Sequence, residues 1–433
     1  MQRRDFLRHA SQASMASMAA LGCLALPGTR AAWAAPAPQA KPGKRLVVVL
    51  LRGAIDGLHV VVPYSDPAYA LARPTLALGR PGSEGGVLDL DGRFGLHPAL
   101  SSLMPLWQGG RLGFVHASGS PQSTRSHFEA QDDIESGRPG HASGADGWLN
   151  RLLGGLPAAS AQASAVRAVG VGPTLPRILA GRQAVATLPS GAAAGKPTLL
   201  DRPQVADAFA QMYAGDDALS RAFRQSQASR RELMASMDAA ALDAEMQAAS
   251  HGAPLPAGFP DDAVRLAQLM RQDPGIQLAF MALGGWDTHA GQGAATGQLA
   301  NRLSPLGQGL AAFAQRLGPV LEDTVVVVMS EFGRTVRENG NRGTDHGHGS
   351  VHWVLGGALA GGPVLGEQQA ISAATLFQNR DLPVLNEYRS WLGGLLARLE
   401  GDALAHCIVS HASAEPGQRR LLGHLGKQAV LDL

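Results

Sequence analysis

The chain has little of several features that would narrow its function at once. Its 433 residues include two cysteines, aromatic residues make up 5%, and the formal net charge is +2. A chain so close to neutral lacks the strongly basic surface of most nucleic-acid-binding proteins, so we expect no nucleic-acid partner. Beyond the first 35 residues there is also no apolar run suited to a stable membrane span. The hydrophobic fraction of 45% is that of an ordinary globular protein.

The N-terminus has the features of an export signal. The sequence RRDFL at residues 3–7 matches the twin-arginine pattern, an Ala/Met/Leu-rich segment covers about 13–26, and AWA at 32–34 fits a small-x-small cleavage site. We therefore predict a twin-arginine signal peptide at residues 1–34, with the twin-arginine translocase as a partner during export and a periplasmic or secreted mature protein. Its removal leaves Cys407 as the one cysteine, so no intrachain disulfide can form.

Apolar runs alternate with amphipathic segments along the rest of the chain. The predicted strands are Arg45–Leu51, Leu112–Ala117, Val166–Val171, Ile276–Leu283, Thr324–Met329 and His352–Leu355. The predicted helices are Ser101–Trp107, His127–Ser136, Gln204–Met212, Ala218–Ser250, Pro260–Arg271, Thr296–Arg316 and Asn386–Glu400. This alternation favours an α/β fold, a doubly wound and mostly parallel sheet with helices on both faces. After a linker at 35–44, residues 45–433 are predicted to form a single domain with a helical insertion at about 200–272, which would either pack or shape substrate access.

Acidic and histidine side chains follow several of these strands. They are Asp56 after the first strand, Asp287 and His289 after the strand that ends at Leu283, Glu331 after the strand that ends at Met329, and Asp345, His346 and His348 in the next loop. In parallel sheets, ligands bind at the carboxyl ends of the strands. Carboxylates mixed with imidazoles suit divalent cations, so we predict a site for one or two Zn, Mn, Mg or Ca ions. Simpler interpretations remain open for each motif: a turn cap, a helix cap, or a metal-free surface loop.

A hydroxyl-rich motif begins the helix predicted at His127–Ser136. The N-terminus of a helix favours anions, and a hydroxyl there could attack a phosphorus or sulfur centre. Ser126 is the first candidate nucleophile and Thr124 the second. The alternative is that Ser123 or Thr124 caps the helix and that His127 is a polar residue of its first turn.

Three arginines near these motifs are candidate oxyanion ligands. Arg125 directly precedes Ser126, and Arg334 and Arg337 follow Glu331. A guanidinium group can bind two oxygens of a phosphate or sulfate at once. Arg334 or Arg337 could instead pair with an acidic neighbour.

Together the motifs resemble a known family. Their order is LRGAIDGL around Asp56, TRSHFEAQ around Ser126, GWDTH at 285–289, SEFGRT at 330–335 and TDHGHGS at 344–350. With the twin-arginine signal, this order is similar to that of exported bacterial proteins of domain-of-unknown-function family 1501, over nearly the whole mature chain. The resemblance places the chain in the alkaline phosphatase/sulfatase superfamily and implies a doubly wound α/β fold with metal ligands at the strand ends.

The resemblance also implies roles for individual residues. Ser126 would be the nucleophile, and the matching metal ligands would be Asp56, Asp287, His289 and either His346 or His348. The pattern departs at Glu331-Phe332, where the superfamily usually has Asp-His. Glutamate can replace aspartate as a ligand, but phenylalanine cannot replace histidine. Asp345 or His346 would then fill the vacancy.

These observations predict an exported metal-dependent hydrolase of phosphate or sulfate esters, acting on a small-molecule or polymer substrate. One metal would be held by Asp56, Glu331 and Asp345, and the other by Asp287, His289 and His348. Ser126 would attack in line, and Arg125 or Arg334 would neutralise the oxyanion. An alternative is a catalytically inactive metal-binding protein that binds a glycan, a polymer or a protein partner. A third hypothesis is an isomerase or mutase of the same superfamily.

Overall fold

The computed structural model describes residues 44–138, 146–157, 166–191, 246, 248–357 and 364–400. The predicted signal peptide lies outside these residues, as does the linker except for Lys44. Most of the predicted insertion at 200–272 also lies outside them, including the helix predicted at Gln204–Met212 and most of the one at Ala218–Ser250. Among the described residues, no helix is both long and apolar enough to cross a membrane.

The described residues contain strands of two to eight residues. They are β1 Arg45–Leu51, β2 Val61–Val62, β3 Leu88–Asp89, β4 Gly95–Leu96, β5 Leu112–Gly119, β6 Ala168–Val171, β7 Ala186–Leu188, β8 Leu278–Leu283, β9 Thr324–Ser330, β10 Ser350–Gly356, β11 Val364–Leu365 and β12 Asn386–Glu387.

Helices connect most of these strands. The α-helices in the described residues are α1 Gly57–Val60, α2 Pro67–Ala72, α3 Met104–Gln108, α4 His127–Ser136, α5 Trp148–Gly155, α6 Phe259–Gln272, α7 Gln298–Leu317 and α8 Tyr388–Glu400. Short 3₁₀ helices cover Pro98–Leu103, Arg177–Leu179, Pro256–Gly258 and Gly318–Asp323.

Nine of the strands form one sheet, in the order β11-β5-β10-β9-β1-β8-β6-β7, with β12 also pairing with β5. The central strand β1 runs parallel to β8, with Leu46 opposite Leu278, and parallel to β9, with Arg45 opposite Thr324. Only β10 is antiparallel to its neighbours β9 and β5. The C-terminal ends of β5, β1, β8 and β9 and the N-terminal end of β10 therefore lie along one edge of the sheet.

Both faces of the sheet are covered, as expected for strands that are apolar throughout. Alternate side chains of β1 point to opposite faces. Val47, Val49 and Leu51 pack in a buried cluster with residues of α6 and α7, while Leu46, Val48 and Leu50 pack in another with residues of α5 and α8. The predicted α/β class, with a mostly parallel sheet and helices on both faces, is confirmed.

One further predicted helix is present in the structure, and several short elements were not predicted. The predicted helix at Pro260–Arg271 is α6, and its buried face packs against the sheet. Strands β7, β11 and β12, the separate three-stranded sheet of β2, β4 and β3, and helix α5 were not predicted. These strands have two or three residues each and α5 has eight, too few for a repeating apolar pattern to be recognised from the sequence.

Candidate metal centre

The loops that follow the parallel strands bring polar side chains together at the C-terminal edge of the sheet. His127 begins α4 after β5, Asp287 and His289 follow β8, Glu331 follows β9, and His346 precedes β10. The loops after β1 and β8 touch at Gly53, which has φ +115°, and a Cβ atom there would lie 2.8 Å from the backbone nitrogen of Asp287. Only glycine allows this approach.

Three side chains form the centre of the cluster. Ligand atoms of His127, Asp287 and His346 all lie within 4.8 Å of one another, and the group has the composition of a metal site. His127 Nε2 is 2.9 Å from His346 Nε2, and His346 Nε2 is 3.2 Å from Asp287 Oδ1. Two ligand nitrogens of a tetrahedral zinc ion lie roughly 3.3 Å apart, so the spacing is close to that of a ligand set.

His289 adds a fourth donor beside this group. Its Nε2 lies 2.9 Å from His346 Nε2 and 3.0 Å from Asp287 Oδ1. The structure thus brings together Asp287, His289 and His346 from the predicted ligands, and adds His127.

The other ring nitrogen of each histidine faces an oxygen. His127 Nδ1 lies 2.8 Å from Glu331 Oε1, His346 Nδ1 lies 2.9 Å from the carbonyl oxygen of Arg125, and His289 Nδ1 lies 3.3 Å from Asp345 Oδ1. A carbonyl or carboxylate oxygen can only accept a hydrogen bond, so each Nδ1 carries the proton. This arrangement is typical of metal-binding histidines, whose outer nitrogen donates to an oxygen.

The centre of the cluster favours a cation. With each Nδ1 donating outward, the three Nε2 atoms converge on one another and on the Asp287 carboxylate, where a proton or a metal ion can join them. Asp287 Oδ2 is buried and has no close hydrogen-bond donor in the described part of the chain, where His127 Nε2 lies 3.5 Å from it. A buried acceptor without a donor is costly. A divalent ion would satisfy both the lone pairs and this oxygen, and the residues therefore fit a metal ion.

The pKa values of His127 and Asp287 indicate a negative electrostatic potential at the centre of the cluster. Burial alone would lower the pKa of His127, but the carboxylates of Asp287 and Glu331 outweigh it and raise that pKa to about 9. Burial would raise the pKa of Asp287, but hydrogen bonds from the three histidines and the charge of Arg334 hold it well below its usual range. A site with this potential attracts a proton when no other cation is present.

Arg334 supports Asp287 from inside the protein. Its guanidinium group donates to Asp287 and to the carbonyl oxygens of Gly53, Ala54, Trp286 and Thr344. Its side chain is fully buried, so it cannot bind the oxyanion of a substrate in this structure. This position contradicts the predicted role of Arg334 as an oxyanion ligand, because its N–H groups point at other groups of the protein.

Asp56 lies outside the cluster. Arg73 Nη1 is 2.7 Å from Asp56 Oδ2, Arg73 Nη2 is 3.0 Å from Oδ1, and Gln292 Nε2 donates to Oδ2 at 2.7 Å. Burial would raise the pKa of Asp56, but the Arg73 charge holds it below its usual range. Both carboxylate oxygens are therefore engaged by protein donors rather than directed toward the cluster.

Glu331 and Asp345 support the histidines. Glu331 Oε1 accepts from the Gly53 N–H at 2.8 Å and from Gln131 Nε2 at 3.0 Å, besides its contact with His127. Asp345 is 55% exposed and accepts from Asn339 Nδ2 at 2.8 Å, besides its contact with His289. Each orients an imidazole of the cluster. In the described residues the structure thus assembles one group of candidate ligands, while Asp56, Glu331 and Asp345, predicted for another ion, bond to protein groups.

Ser126 is the N-cap of α4. Its hydroxyl oxygen accepts from the Glu129 N–H at 3.4 Å. Thr124 donates to Glu129 Oε2 at 2.6 Å and accepts from the Ser126 N–H at 3.2 Å. The neighbours of Ser126 on both sides, Arg125 and His127, contact His346 of the cluster.

Phe332 and His348 have packing roles. The Phe332 ring stacks on His127 with centroids 4.8 Å apart and lies 5.2 Å from His346, so it fixes the orientation of two candidate ligands. His348 packs against Phe377 with centroids 4.3 Å apart, and the group of possible ligands does not include it. Of the two histidines left open by the sequence, His346 is the one in the cluster.

Sequence reasoning missed His127 as a candidate ligand. Its place at the start of a helix suggested an ordinary polar residue. The available signal was its position at the start of the helix that follows β5, since the loop that follows β8 carries Asp287 and His289. Its contact with Glu331 spans 204 residues, which no local pattern reveals.

A comparison with sequence families gives a match over most of the chain. The sequence family described as "Protein of unknown function (DUF1501)" matches residues 93–403. A nicotinate-nucleotide–dimethylbenzimidazole phosphoribosyltransferase from Brucella anthropi is 53% identical over 32 residues, which cover 7% of this chain and 9% of that enzyme. The chain thus matches less than a tenth of the length of this curated relative, and the match says nothing about its own activity.

Several solved structures are similar at a low level. The C-terminal periplasmic domain of EcEptC from Escherichia coli has 10% identity and a TM-score of 0.38, covering 84% of each chain. Ps i-CgsB, in complex with k-i-k-neocarrahexaose, has 10% identity and a TM-score of 0.40, covering 87% of this chain and 74% of that one. The lipoteichoic acid synthase LtaP from Listeria monocytogenes has 10% identity and a TM-score of 0.33, covering 74% of this chain and 67% of that one. These values are too low to support an argument about activity.

Proposed function

Since the chain belongs to the DUF1501 family, whose description names no activity, we propose from the site itself that it is an exported metal-dependent hydrolase of phosphate or sulfate esters. The observation that carries the proposal is the meeting of three imidazole Nε2 atoms and the Asp287 carboxylate beside the N-terminus of α4. The resemblance of its motifs to the alkaline phosphatase/sulfatase superfamily suggests the same reaction class.

We propose His127, Asp287 and His346 as the ligands of one ion, with His289 as the fourth. Three nitrogen donors and one oxygen donor favour Zn²⁺ or Mn²⁺ over Mg²⁺ or Ca²⁺, which prefer oxygen. The bound ion would supply Lewis acidity at the strand ends.

Ser126 is the proposed nucleophile. Its oxygen would attack phosphorus or sulfur, form a covalent serine ester and release the alcohol or phenol, and water would then hydrolyse that ester. Support comes from its position between Arg125 and His127, both of which contact His346. The free N–H groups of the first turn of α4 would favour the negative charge of the reacting group.

The test is reconstitution of the full mature chain with Zn²⁺, Mn²⁺, Mg²⁺ or Ca²⁺ and assay of an aryl phosphate, a phosphodiester and an aryl sulfate. We expect turnover with Zn²⁺ or Mn²⁺, and Ser126→Ala should lower kcat on the order of a thousandfold or more. Ser123→Ala is the matched control, because Ser123 is exposed and lies three residues before Ser126. Absence of turnover on all three substrates in a protein that holds its metal would contradict the proposal.

Two observations favour the alternative of a metal-binding protein without catalysis. The Ser126 hydroxyl oxygen is used as a helix cap, and the Asp56 carboxylate is bonded to Arg73. In that case Ser126→Ala would leave metal content and function unchanged, and the protein would bind a glycan, polymer or protein ligand rather than convert it.

A further inference from the structure

Two arginines contact His346, one at its ring and the other at its backbone. The carbonyl oxygen of Arg125 accepts from His346 Nδ1 at 2.9 Å, and Arg380 Nη2 donates to the carbonyl oxygen of His346 at 2.6 Å. Arg125 lies in the TRSHFEAQ motif, whereas no motif marks Arg380, which lies 34 residues after His346. Both arginines therefore border the candidate metal centre.

Their guanidinium groups meet on one carboxylate. Arg125 Nη2 and Arg380 Nη2 each lie 3.0 Å from Oδ2 of Asp381, and Arg380 Nε lies 2.8 Å from Oδ1. One negative charge thus faces two positive charges. The Asp381 side chain is 0% exposed, whereas those of Arg125 and Arg380 are 35% and 39% exposed. The pair presents about one uncompensated positive charge to solvent beside His346.

Several donors of this pair are unused. Arg125 Nε is buried and has no hydrogen-bond partner in the described part of the chain. The bonds that Arg125 makes there use Nη2, toward Gln378 Oε1 at 2.7 Å and toward Asp381. A guanidinium group has five N–H donors in a planar fork that matches the oxygens of phosphate or sulfate. An oxyanion bound at the exposed parts of the two guanidinium groups would use their remaining donors and reduce the repulsion between the two like charges.

The segment that supplies Arg380 is held in an unusual conformation. Phe377 and Asp381 pair in a tight turn, and Gln378 and Asn379 within it have φ of 52° and 51°. This left-handed conformation is uncommon for glutamine and costs on the order of 1 kcal/mol. The turn directs Gln378 and Asp381 to Arg125 and places Arg380 on the same Asp381 carboxylate. Strain of this kind persists where a particular arrangement of side chains is needed.

We propose that Arg125 and Arg380, held together by Asp381, bind the oxyanion of the substrate ester beside the metal centre, and that Arg380 is an anion-binding residue of the site. The substrate class is an ester that keeps a negative charge when it binds, of phosphate or of sulfate, and excludes neutral esters. The reaction catalysed rests on the proposed function, but binding of the anion does not.

The experiment measures binding of inorganic phosphate and inorganic sulfate to the full mature chain, with and without Zn²⁺, by calorimetry. Arg380→Gln should weaken the affinity for the preferred anion by about tenfold or more, because a charged, forked donor is lost. Arg380→Lys, which keeps the charge but not the fork, should lie between Gln and wild type. Phosphate and sulfate distinguish the two ester types by which of them binds more tightly.

The matched control is Arg111→Gln. Arg111 is also half-exposed and paired with a carboxylate, Glu322 at 2.5 Å, but it precedes β5 at the opposite edge of the sheet. The Arg111→Gln variant should bind phosphate and sulfate with the same affinity as the wild type. Metal content is measured in every variant, and it should be unchanged in Arg380→Gln.

A second variant tests the turn without removing a charge. Gln378→Gly relieves the positive φ and removes the acceptor for Arg125, so the unfolding free energy should not fall while anion affinity does.

The outcomes separate this proposal from the hydrolase. Unchanged anion affinity in Arg380→Gln would overturn it, as would weakened affinity that is explained by loss of metal. A wild-type protein that binds neither anion at millimolar concentration would also overturn it. Binding that depends on Arg380, in a protein without turnover, would support the anion site and contradict the hydrolase.

Discussion

Asp56 and Arg73 form an ion pair that is wholly inside the protein, with both side chains at most 1% exposed. Removing one partner of a buried pair leaves the other charge uncompensated. We predict that Asp56→Asn lowers the free energy of unfolding by about 3–5 kcal/mol, while the metal content of the folded protein stays the same. Denaturant unfolding and elemental analysis on the same sample measure both quantities.

The sign of the pH dependence follows from the depressed pKa of Asp56. A carboxylate of this kind stabilises the folded state above its unfolded pKa of about 3.9, and the contribution is lost as pH falls through the folded value. The difference between wild type and Asp56→Asn should therefore be constant near neutral pH and shrink only in strong acid. If Asp56→Asn instead lost its metal ion and kept its stability, Asp56 would be a metal ligand.

The limits of prediction are clearest for single residues. That Asp287 and His289 lie together with a histidine of the later loop could be predicted from their places near strand ends, but the choice between His346 and His348 could not. The sequence does not predict which carboxylate faces a metal ion and which one pairs with an arginine. Arg73 lies in a segment without a motif, and its pairing with Asp56 depends on the packing of the loop that carries it.

At the scale of elements, the central strands were predictable and the edge strands were not. β1 contains a run of Val and Leu and β9 a run of valines, and such runs indicate buried parallel strands. Strands β11 and β12 have two residues each and form only because β5 offers an edge for pairing. The turn at Phe377–Asp381 could not be predicted from the sequence either, because Gln378 and Asn379 have no strong preference for its left-handed backbone conformation.

Strands β5, β9 and β10 are linked by a buried histidine that should make stability depend on pH. His352 Nε2 donates to the carbonyl oxygen of Ser330 at 3.1 Å, and its Nδ1 accepts from the Ser118 hydroxyl at 3.0 Å. Trp391 Nε1 donates to the same hydroxyl at 2.9 Å. Burial lowers the pKa of His352 to about 4, so the ring is neutral in the folded protein.

A histidine with a lowered pKa stabilises the folded state above the unfolded value of about 6.5, and this stability is lost as pH falls toward the folded value. His352→Gln keeps a donor and an acceptor but cannot titrate. Between pH 7 and pH 4, we predict that the unfolding free energy of the wild type falls by about 3 kcal/mol more than that of His352→Gln. Parallel curves for the two proteins would show that His352 does not titrate as its burial requires.

For the whole molecule, export remains a prediction from the sequence RRDFL at residues 3–7. Folding before export would allow a metal ion to be bound before the chain meets competing ions. We predict that replacing Arg3 and Arg4 together by Lys leaves the precursor in the cytoplasm of a bacterial host. Cell fractionation measures this. The control is Arg8→Lys, and processing of the double variant at the wild-type rate would exclude the twin-arginine route.

The fold as a whole follows from a few physical constraints. Apolar strands that must be covered on both faces require helices on both sides, and parallel strands place their C-terminal ends at one edge. Those constraints bring the loops after β5, β8 and β9 together, and the sequence was sufficient to predict this edge as the site. The identity of the loop contacts depends on close approaches such as that of Gly53 to Asp287, which depend on packing in three dimensions.

The measurement that tests the central claim most directly is metal content after reconstitution, by elemental analysis with a calorimetric titration of Zn²⁺ and Mn²⁺. We predict about one tightly bound ion per chain in the wild type and in Asp56→Asn. His127→Ala and His346→Ala should lose it, and His289→Ala should bind it more weakly. No bound ion in the wild type would contradict the claim. So would two ions that require Asp56, or binding that survives the loss of both His127 and His346.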